Sequence, residues 1–334
     1  MNILTTGGLG YIGSHTVVEL IKSGYTVEII DNLFNSKIEV LDKIQKITGV
    51  RPVFHKVDLL DYEATLNALK CTKFDAVIHF AGMKAVGESV EKPLVYYENN
   101  IQGSINLLKA MAEVGVKKLV FSSSATVYGD KGDESGRLIE TMITGVEIAN
   151  PYGWTKAMIE QIIRDVSVSD PEFEATILRY FNPIGADKSG LIGEDPNGIP
   201  NNLMPIITNV YLGKISELTI YGDDYPTKDG SCERDFIHVT DLAKGHLSAL
   251  RHIKPGVSVY NLGTSKATSV FGLVDAFESI SKRKLPKKIG KRRAGDLAVV
   301  CADASLASNE LGWKAELTIE DAIRDTLRYL GNLE

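Results

Sequence analysis

The stretch Gly7-Gly8-Leu9-Gly10-Tyr11-Ile12-Gly13 restricts what this chain can fold into more than any other. Glycines 7, 10 and 13 recur every third residue. The strand-like run Ile3-Leu4-Thr5-Thr6 precedes them and helical spacing over residues 11–23 follows. Without Cβ atoms the backbone turns tightly between strand and helix and comes close to a pyrophosphate, whose charge suits the amino end of a helix. A plain tight turn would use the glycines but has no need of the flanking strand and helix, so the flanks favour a dinucleotide-binding turn. The spacing is G-x-x-G-x-x-G rather than the G-x-G-x-x-G of many dehydrogenases.

The strand-then-helix order repeats along the first half. Strand-like runs at Val27–Ile30, Val53–Val57, Ala76–Phe80, Leu119–Phe121 and Ala175–Arg179 alternate with helical stretches at 36–48, 61–70, 93–115 and 152–169. The spacing predicts one long helix over 93–115, with Pro93 in its first turn, where a missing N–H is harmless. Strict alternation gives a parallel sheet with helices on both faces, and short apolar strands fit burial on both sides. The fold class is therefore α/β, a doubly wound, Rossmann-like sheet. After Tyr180 the style changes. Residues 185–202 hold Gly185, Gly190, Gly193, Pro196, Gly198 and Pro200, the composition of a long loop, and long ordered loops are usually functional. Helical patterns near 201–212, 240–252, 269–282 and 318–330 follow. The expected division is a dinucleotide-binding domain over 1–180, rejoined by return segments near 236–262 that include the buried strand Val259–Leu262. A smaller mixed α/β substrate domain is expected over 181–334.

Composition narrows the classes. The 334 residues are 44% hydrophobic and 24% charged, enough apolar surface to bury a core, so a disordered chain is not expected. A net charge of −6 gives no global basic field for nucleic acid. The run Lys282–Arg293 has eight cations in twelve residues, but Leu285, Pro286 and Ile289 interrupt it, and it is expected to be a solvated face. Cys71, Cys232 and Cys301 are odd in number and far apart, with neither metal-ligand spacing nor a disulfide framework; no metal is expected. No secretory signal or membrane-spanning run is visible, so the expectation is a cytoplasmic protein with no membrane partner.

Several strand ends carry polar chemistry. Asp31 ends the second strand, where a carboxylate accepts both adenosine ribose hydroxyls and repels a 2′-phosphate, which favours NAD over NADP. Asp58, Phe80-Ala81-Gly82, Ser122-Ser123-Ser124 and Tyr180-Phe181-Asn182 follow the third to sixth strands, at the rim where open α/β sheets bind ligands. Tyr152 and Lys156 stand one turn apart at the start of a helix and share a face. A free tyrosine has a pKa of about 10, too high for a base at neutral pH, and each unit of lowering corresponds to about 1.4 kcal/mol. The lysine together with a cationic nicotinamide ring would stabilise the phenolate, and Ser124 would relay the proton.

This combination resembles the extended short-chain dehydrogenase/reductase family, and within it the enzymes that invert a nucleotide-linked hexose. The resemblance covers nearly the whole chain. It rests on Gly7–His15, Asp31-Asn32, His79–Gly82, Lys84–Ser89, Ser122–Gly129, Arg179–Pro183, Gly193–Pro196, Pro200–Pro205 and Arg234–Val239. It implies an NAD-dependent epimerase that interconverts UDP-galactose and UDP-glucose at C4 through a 4-keto sugar. NAD would be held by Gly7, Gly10, Tyr11, Ile12 and Gly13, by Asp31, Asn32, Asn35 and Ser36, and by Asp58 and Leu59. Phe80, Ala81, Gly82, Lys84, Asn99, Ser122 and Tyr180 would complete the cofactor site, with Tyr152 and Lys156 reaching it. The catalytic residues would be Tyr152, Lys156 and Ser124. The UDP-sugar would meet Lys84, Ser124, Tyr152, Phe181, Asn182, Asn202, Leu203, Thr219, Tyr221, Arg234, Arg293, Asp296 and Val300.

Three positions depart from the family pattern. Trp154 replaces a smaller or basic residue and is expected to face away from the cofactor. Glu233 adds a carboxylate before Arg234. Val300 stands where an aromatic narrows the sugar pocket in some relatives, which predicts UDP-N-acetylglucosamine as a second substrate. The competing reading is a nucleotide-sugar 4,6-dehydratase, which needs Asp-Glu after the fifth strand; Ala125-Thr126 stands there instead. A non-catalytic NAD-binding protein would have lost Tyr152 or Lys156. Helices 93–115 and 152–169 are apolar on more than one face, and the resemblance implies that they pair with a second copy as a homodimer.

Overall fold

A computed structural model describes residues 1–129, 136–197, 202–293 and 296–331. Gly198, Pro200 and Asn201 of the expected loop and of the Pro200–Pro205 motif lie outside the described residues. In chain order the first half contains β1 (Asn2–Thr6), α1 (Tyr11–Lys22), β2 (Thr26–Asp31), α2 (Val40–Thr48), β3 (Val53–Lys56), α3 (Tyr62–Lys70), β4 (Ala76–His79), α4 (Val86–Glu91), α5 (Pro93–Tyr97), α6 (Gly103–Val114), β5 (Lys118–Ser124), β6 (Arg137–Leu138), α7 (Pro151–Ser169) and β7 (Glu174–Tyr180). The second half contains β8 (Asn182–Ile184), α8 (Leu203–Tyr211), β9 (Leu218–Tyr221), β10 (Glu233–His238), α9 (Val239–Arg251), β11 (Gly256–Leu262), β12 (Ala267–Ser269), α10 (Val270–Ser281), β13 (Lys287–Gly290), β14 (Val299–Ala302), α11 (Ser305–Leu311) and α12 (Ile319–Tyr329).

Seven strands pair in the order β11-β7-β5-β4-β1-β2-β3, every pair parallel. Successive residues of a strand point to opposite faces. Ile3 and Ile29 therefore join a core with Val17 and Leu242 under α1 and α9, while Leu4 and Ile30 join Leu107 and Ile163 under α6 and α7. The expected return strand is β11, which forms one edge of this sheet against β7. The strand order reverses between β1 and β4, and that switch point is where doubly wound sheets open a crevice for a ligand. A second sheet joins β12, β10 and β14 from beyond Tyr180 to β6 from before it, with β8 also paired to β10, and β13 pairs β9. Helices α8, α10 and α12 bury Ile207, Phe277 and Ile323 over these strands. Among the described residues no helix is long and apolar enough to cross a membrane.

The expected continuous helix over 93–115 is not formed. A π-helical turn at Glu98–Gln102 separates α5 from α6, and α4 precedes them as a further helix that periodicity did not reveal. The turn adds a residue to the coil and carries Asn100 into the interior. There Asn100 accepts from the Met83 amide at 2.8 Å and donates to Met83 O and Thr155 Oγ1, each at 3.0 Å. A π turn often marks a functional position, and this one ties the loop after β4 to the helix bearing Tyr152 and Lys156. The basic run is a solvated, paired face, as expected: Lys284 and Lys287 meet Glu278, and Lys288 meets Glu217.

Candidate active site

The glycine turn fits a dinucleotide on the evidence of its own backbone. Gly7 has φ +69°, and a Cβ there would lie 2.7 Å from Ala81 N; at Gly13 it would lie 2.2 Å from Gly7 O. The strand end after β4 and the first turn of α1 can thus approach each other only without side chains. No side chain caps α1 at Gly10, so its first amides face outward with the helix dipole behind them. Beside the turn, Asp31 accepts from Leu9 N at 3.1 Å, Leu33 N at 2.9 Å and Ser36 Oγ at 2.7 Å, which fixes the carboxylate at the end of β2. Asn32 donates to Asp58 Oδ2 at 3.0 Å, joining the ends of β2 and β3.

A cavity of about 1220 Å³ runs along this rim. It is lined by the expected residues Gly7, Gly10, Tyr11, Ile12, Gly13, Asp31, Asn32, Asn35, Ser36, Asp58, Leu59, Phe80, Ala81, Gly82, Lys84 and Asn99. It continues past Ser124, Tyr152, Lys156 and Tyr180 to Phe181, Asn182, Asn202 and Leu203. Ser122 lies beneath it rather than on its wall: its carbonyl accepts from Lys156 Nζ at 2.8 Å and its hydroxyl meets His246 Nε2 at 3.1 Å. Thr219, Tyr221, Arg234, Arg293, Asp296 and Val300 do not line this cavity. They gather on the second sheet and its neighbours: Arg234 pairs with Asp296, Arg293 stacks on Tyr221 at 4.2 Å, and Val300 stands in register with Arg234. Thr219 lies on β9 opposite Lys288. Trp154 faces away from the cavity and donates to Ile148 O at 3.0 Å.

Tyr152 is N-terminal in α7 because Pro151 starts the helix and Asn150 caps it, accepting from Gly153 N. The expected lowering of its pKa is not a property of the chain alone. Burial raises the phenol above its ordinary value, and the hydrogen bond from Ser124 opposes that rise. The physical reason is that Tyr152 lies inside the fold while the Lys156 ammonium is engaged by Ser122 O and sits 4.9 Å over the Phe121 ring. Burial brings Lys156 down to about 8, with Glu160 opposing the fall. Below them, Arg179 and Glu160 form a buried ion pair at 2.6 Å, and Ser123 donates to the same carboxylate at 2.6 Å. Two residues of the cavity region escaped sequence reasoning. Asn100 makes only local sense once the π turn is known. Glu194 lies in a motif already singled out and accepts from Lys84 Nζ at 3.0 Å and Asn202 Nδ2 at 2.7 Å.

The glycine turn, the fixed Asp31 carboxylate and the group Tyr152, Lys156 and Ser124 share one cavity, an arrangement suited to a dinucleotide-dependent enzyme acting on a hydroxyl-bearing carbon. The model of the NAD dependent epimerase/dehydratase family matches residues 3–263, and the chain belongs to that family. It is 51% identical over 331 residues to the UDP-glucose 4-epimerase of Bacillus subtilis (strain 168), covering 98% of this chain and 96% of the relative. Among solved structures it is similar to UDP-glucose 4-epimerase from Bifidobacterium longum in complex with NAD+ and UDP, with a TM-score of 0.95, 47% identity and coverage of 99% and 98% of the two chains. It is also similar to the UDP-Glc/GlcNAc 4-epimerase from Campylobacter jejuni, with a TM-score of 0.85, 35% identity and 98% of each chain covered.

Proposed function

We infer that this chain, with NAD, interconverts UDP-galactose and UDP-glucose by inverting C4 of the hexose. The observation that carries this is the convergence of Tyr152, Ser124 and Lys156 with the glycine turn on one continuous cavity. NAD, when bound, would supply the hydride chemistry that inversion through a 4-keto sugar needs at a carbon without an acidic proton. Tyr152 accepts the C4 hydroxyl proton through Ser124 and gives it back on the return. Lys156 holds its positive charge beside the ribose and phenol. Asp31, Asn32 and Asp58 orient the adenosine end, and Lys84 meets the phosphates. Phe181, Asn182, Asn202 and Leu203 meet the sugar nucleotide, and Thr219, Tyr221 and Asp296 are assigned to it together with Arg234 and Arg293 at its diphosphate, Asp296 being paired with Arg234 and Tyr221 stacked on Arg293. Guanidinium groups bind phosphate through paired N–H donors, so the nucleotide is held firmly while the hexose turns over.

The dehydratase reading is disfavoured by Ala125 and Thr126, which follow β5 in a short 3₁₀ turn and offer no carboxylate for the C5 proton. Incubation with UDP-galactose alone tests the assignment. UDP-glucose as product supports it; a stable keto-sugar points to the dehydratase, and no product to a binding protein.

Val300 stands on β14 beside Arg234, at a position where an aromatic narrows the sugar pocket in some members of the family, and on that resemblance we assign UDP-N-acetylglucosamine as a second substrate. We place the division between cofactor and substrate domains at 1–180, with return segments near 236–262, and 181–334. A second copy of the chain is assigned to the helices over 93–115 and 152–169, where Leu94, Val95 and Met158 face outward and Leu94 is 79% exposed. A burial of such a surface in a dimer removes apolar area from water; sedimentation as a monomer at micromolar concentration overturns it. The cytoplasm is the proposed location, supported by three free cysteines.

A further inference from the structure

The motif Gly193-Glu194-Asp195-Pro196 has no role in the reaction as derived so far, yet all four of its residues line the cavity. Its root is fixed: Ala186 bridges Gly193, Asp187 N donates to Ile192 O at 3.0 Å, and a Cβ on Gly193 would meet the Tyr329 ring at 2.6 Å. Its far end is tied to the loop after β2. Asp195 pairs with Lys37, Asn197 N donates to Asn35 Oδ1 at 2.8 Å, and Asn197 Nδ2 donates to Phe34 O at 3.2 Å. Between these anchors Glu194 turns into the cavity, its side chain only 9% exposed. A carboxylate so nearly buried must be paired, and one oxygen, Oε1, takes both partners. Lys84 reaches it at 3.0 Å from the strand-end loop after β4, and Asn202 at 2.7 Å from the start of α8. Lys84 belongs to the cofactor side of the cavity and Asn202 to the sugar-nucleotide side.

We propose that Glu194 is a positioning residue that joins Lys84 to Asn202, and that the strap Gly193–Asn197 carrying it clasps the dinucleotide in its crevice. This rests on the reading given under Proposed function. The geometry makes two separable demands on Glu194. Holding Lys84 across the cavity needs negative charge. Holding Asn202 needs only an oxygen acceptor at the same place. Glutamine supplies the second without the first, and alanine supplies neither. The exposed Lys37–Asp195 pair at the tip is screened by solvent, so it contributes less to the clasp than the nearly buried pair within.

The test uses the whole chain loaded with labelled NAD and chased with excess unlabelled NAD, with UDP affinity measured on the same preparations by calorimetry. Glu194→Gln is expected to release NAD about tenfold faster while its UDP affinity stays within about twofold of the parent, since a lost charge-assisted contact of this kind is worth about one decade. Glu194→Ala is expected to release NAD as fast and also to bind UDP several-fold more weakly. Asp195→Asn is expected to quicken release by a smaller factor. Circular dichroism of each loaded variant establishes that it is folded; if the alanine variant is not, the glutamine variant decides alone. NAD release from Glu194→Gln at the parental rate overturns the clasp, and weakened UDP binding in that variant overturns the separation of its two roles. A parent chain that binds no NAD refutes instead the functional reading on which the proposal rests.

Discussion

Gly13 offers the most direct test of how the crevice is built. An alanine Cβ there would lie 2.2 Å from Gly7 O, 2.9 Å from Gly8 Cα and 3.1 Å from Gly7 C. All three are backbone atoms, so no side chain can swing aside. Ordinary contact requires the first turn of α1 to retreat from the strand end by about 1 Å, comparable to the misplacements that cost enzymes about a hundredfold. Forced expansion of a packed site costs about 1–3 kcal/mol. Gly13→Ala is therefore expected to lower the thermal midpoint of the ligand-free protein and to weaken NAD binding by about tenfold to a hundredfold. Gly10 provides the contrast, because a Cβ there would stand 3.3 Å from Gly7 O at a φ of −70° that alanine adopts freely. Gly10→Ala is expected to leave the ligand-free midpoint nearly unchanged and to lose affinity only through its intrusion on the pyrophosphate. Calorimetric scanning without ligand and titration with NAD give both quantities. A Gly13→Ala protein with the parental midpoint and parental NAD affinity would falsify the account of the turn.

Other perturbations test other parts. Glu160→Leu leaves Arg179 charged and buried beneath β5 and is expected to destabilise by about 3–5 kcal/mol in denaturant titration, with much of the loss recovered in a Glu160→Leu/Arg179→Leu double variant. Burial holds His15 at about 4, His79 at about 3 and His246 at about 4, so all three are neutral in the fold at pH 7. The unfolded chain takes up protons at these rings below about 6.5 and the folded chain does not, so stability rises with pH from about 4 to 6.5 and is lost as pH falls through that window. The slope approaches about 1.4 kcal/mol per pH unit per ring, and a flat denaturation midpoint between pH 6.5 and 4.5 would contradict it. Val300→Tyr is expected to abolish turnover of UDP-N-acetylglucosamine and to spare UDP-galactose; equal loss of both would show that the side chain does not shape the sugar pocket.

The parts of the fold that were legible in the sequence are those where one local signal suffices. Apolar runs placed the sheet strands to within three residues, β5 running on to Ser124 and β11 starting at Gly256, and glycine spacing placed the crevice, because both follow from backbone sterics that neighbours in sequence already determine. The helix over 93–115 failed for the opposite reason. Its apolar spacing is helical throughout, but the π turn at Glu98–Gln102 is set by where Asn100 finds partners, and Met83 and Thr155 are 17 and 55 residues away. The imidazole of His79 shows the same dependence on distance. Ser104 spends its proton on Asn100 O at 2.6 Å and so accepts from His79 Nε2–H at 2.9 Å, which leaves Nδ1 to accept from Thr6 at 2.7 Å. A neutral ring is thereby fixed at the end of β4 by residues on two other elements. Glu194 was legible as part of a motif but not as a group with a task, since its two partners approach from separate loops.

The state of Tyr152 brings these strands of reasoning to one measurement. A helical turn between a phenol and an ammonium suggests a lowered phenol, but the fold sets burial against that expectation and burial prevails, with Ser124 only partly offsetting it. Lys156 is itself pulled down to about 8 and remains mostly protonated at neutral pH, yet its ammonium is directed at Ser122 O. The chain without ligands is therefore expected to keep Tyr152 protonated well beyond neutrality, so that its readiness as a base depends on the cation that occupies the crevice. Ultraviolet difference titration of the ligand-free protein against Tyr152→Phe isolates this one phenol. Its ionisation is expected above pH 10 without NAD and at lower pH in the NAD-loaded protein. A difference signal below pH 10 in the ligand-free chain would mean that Lys156 alone outweighs burial, and that the base is preformed by the fold.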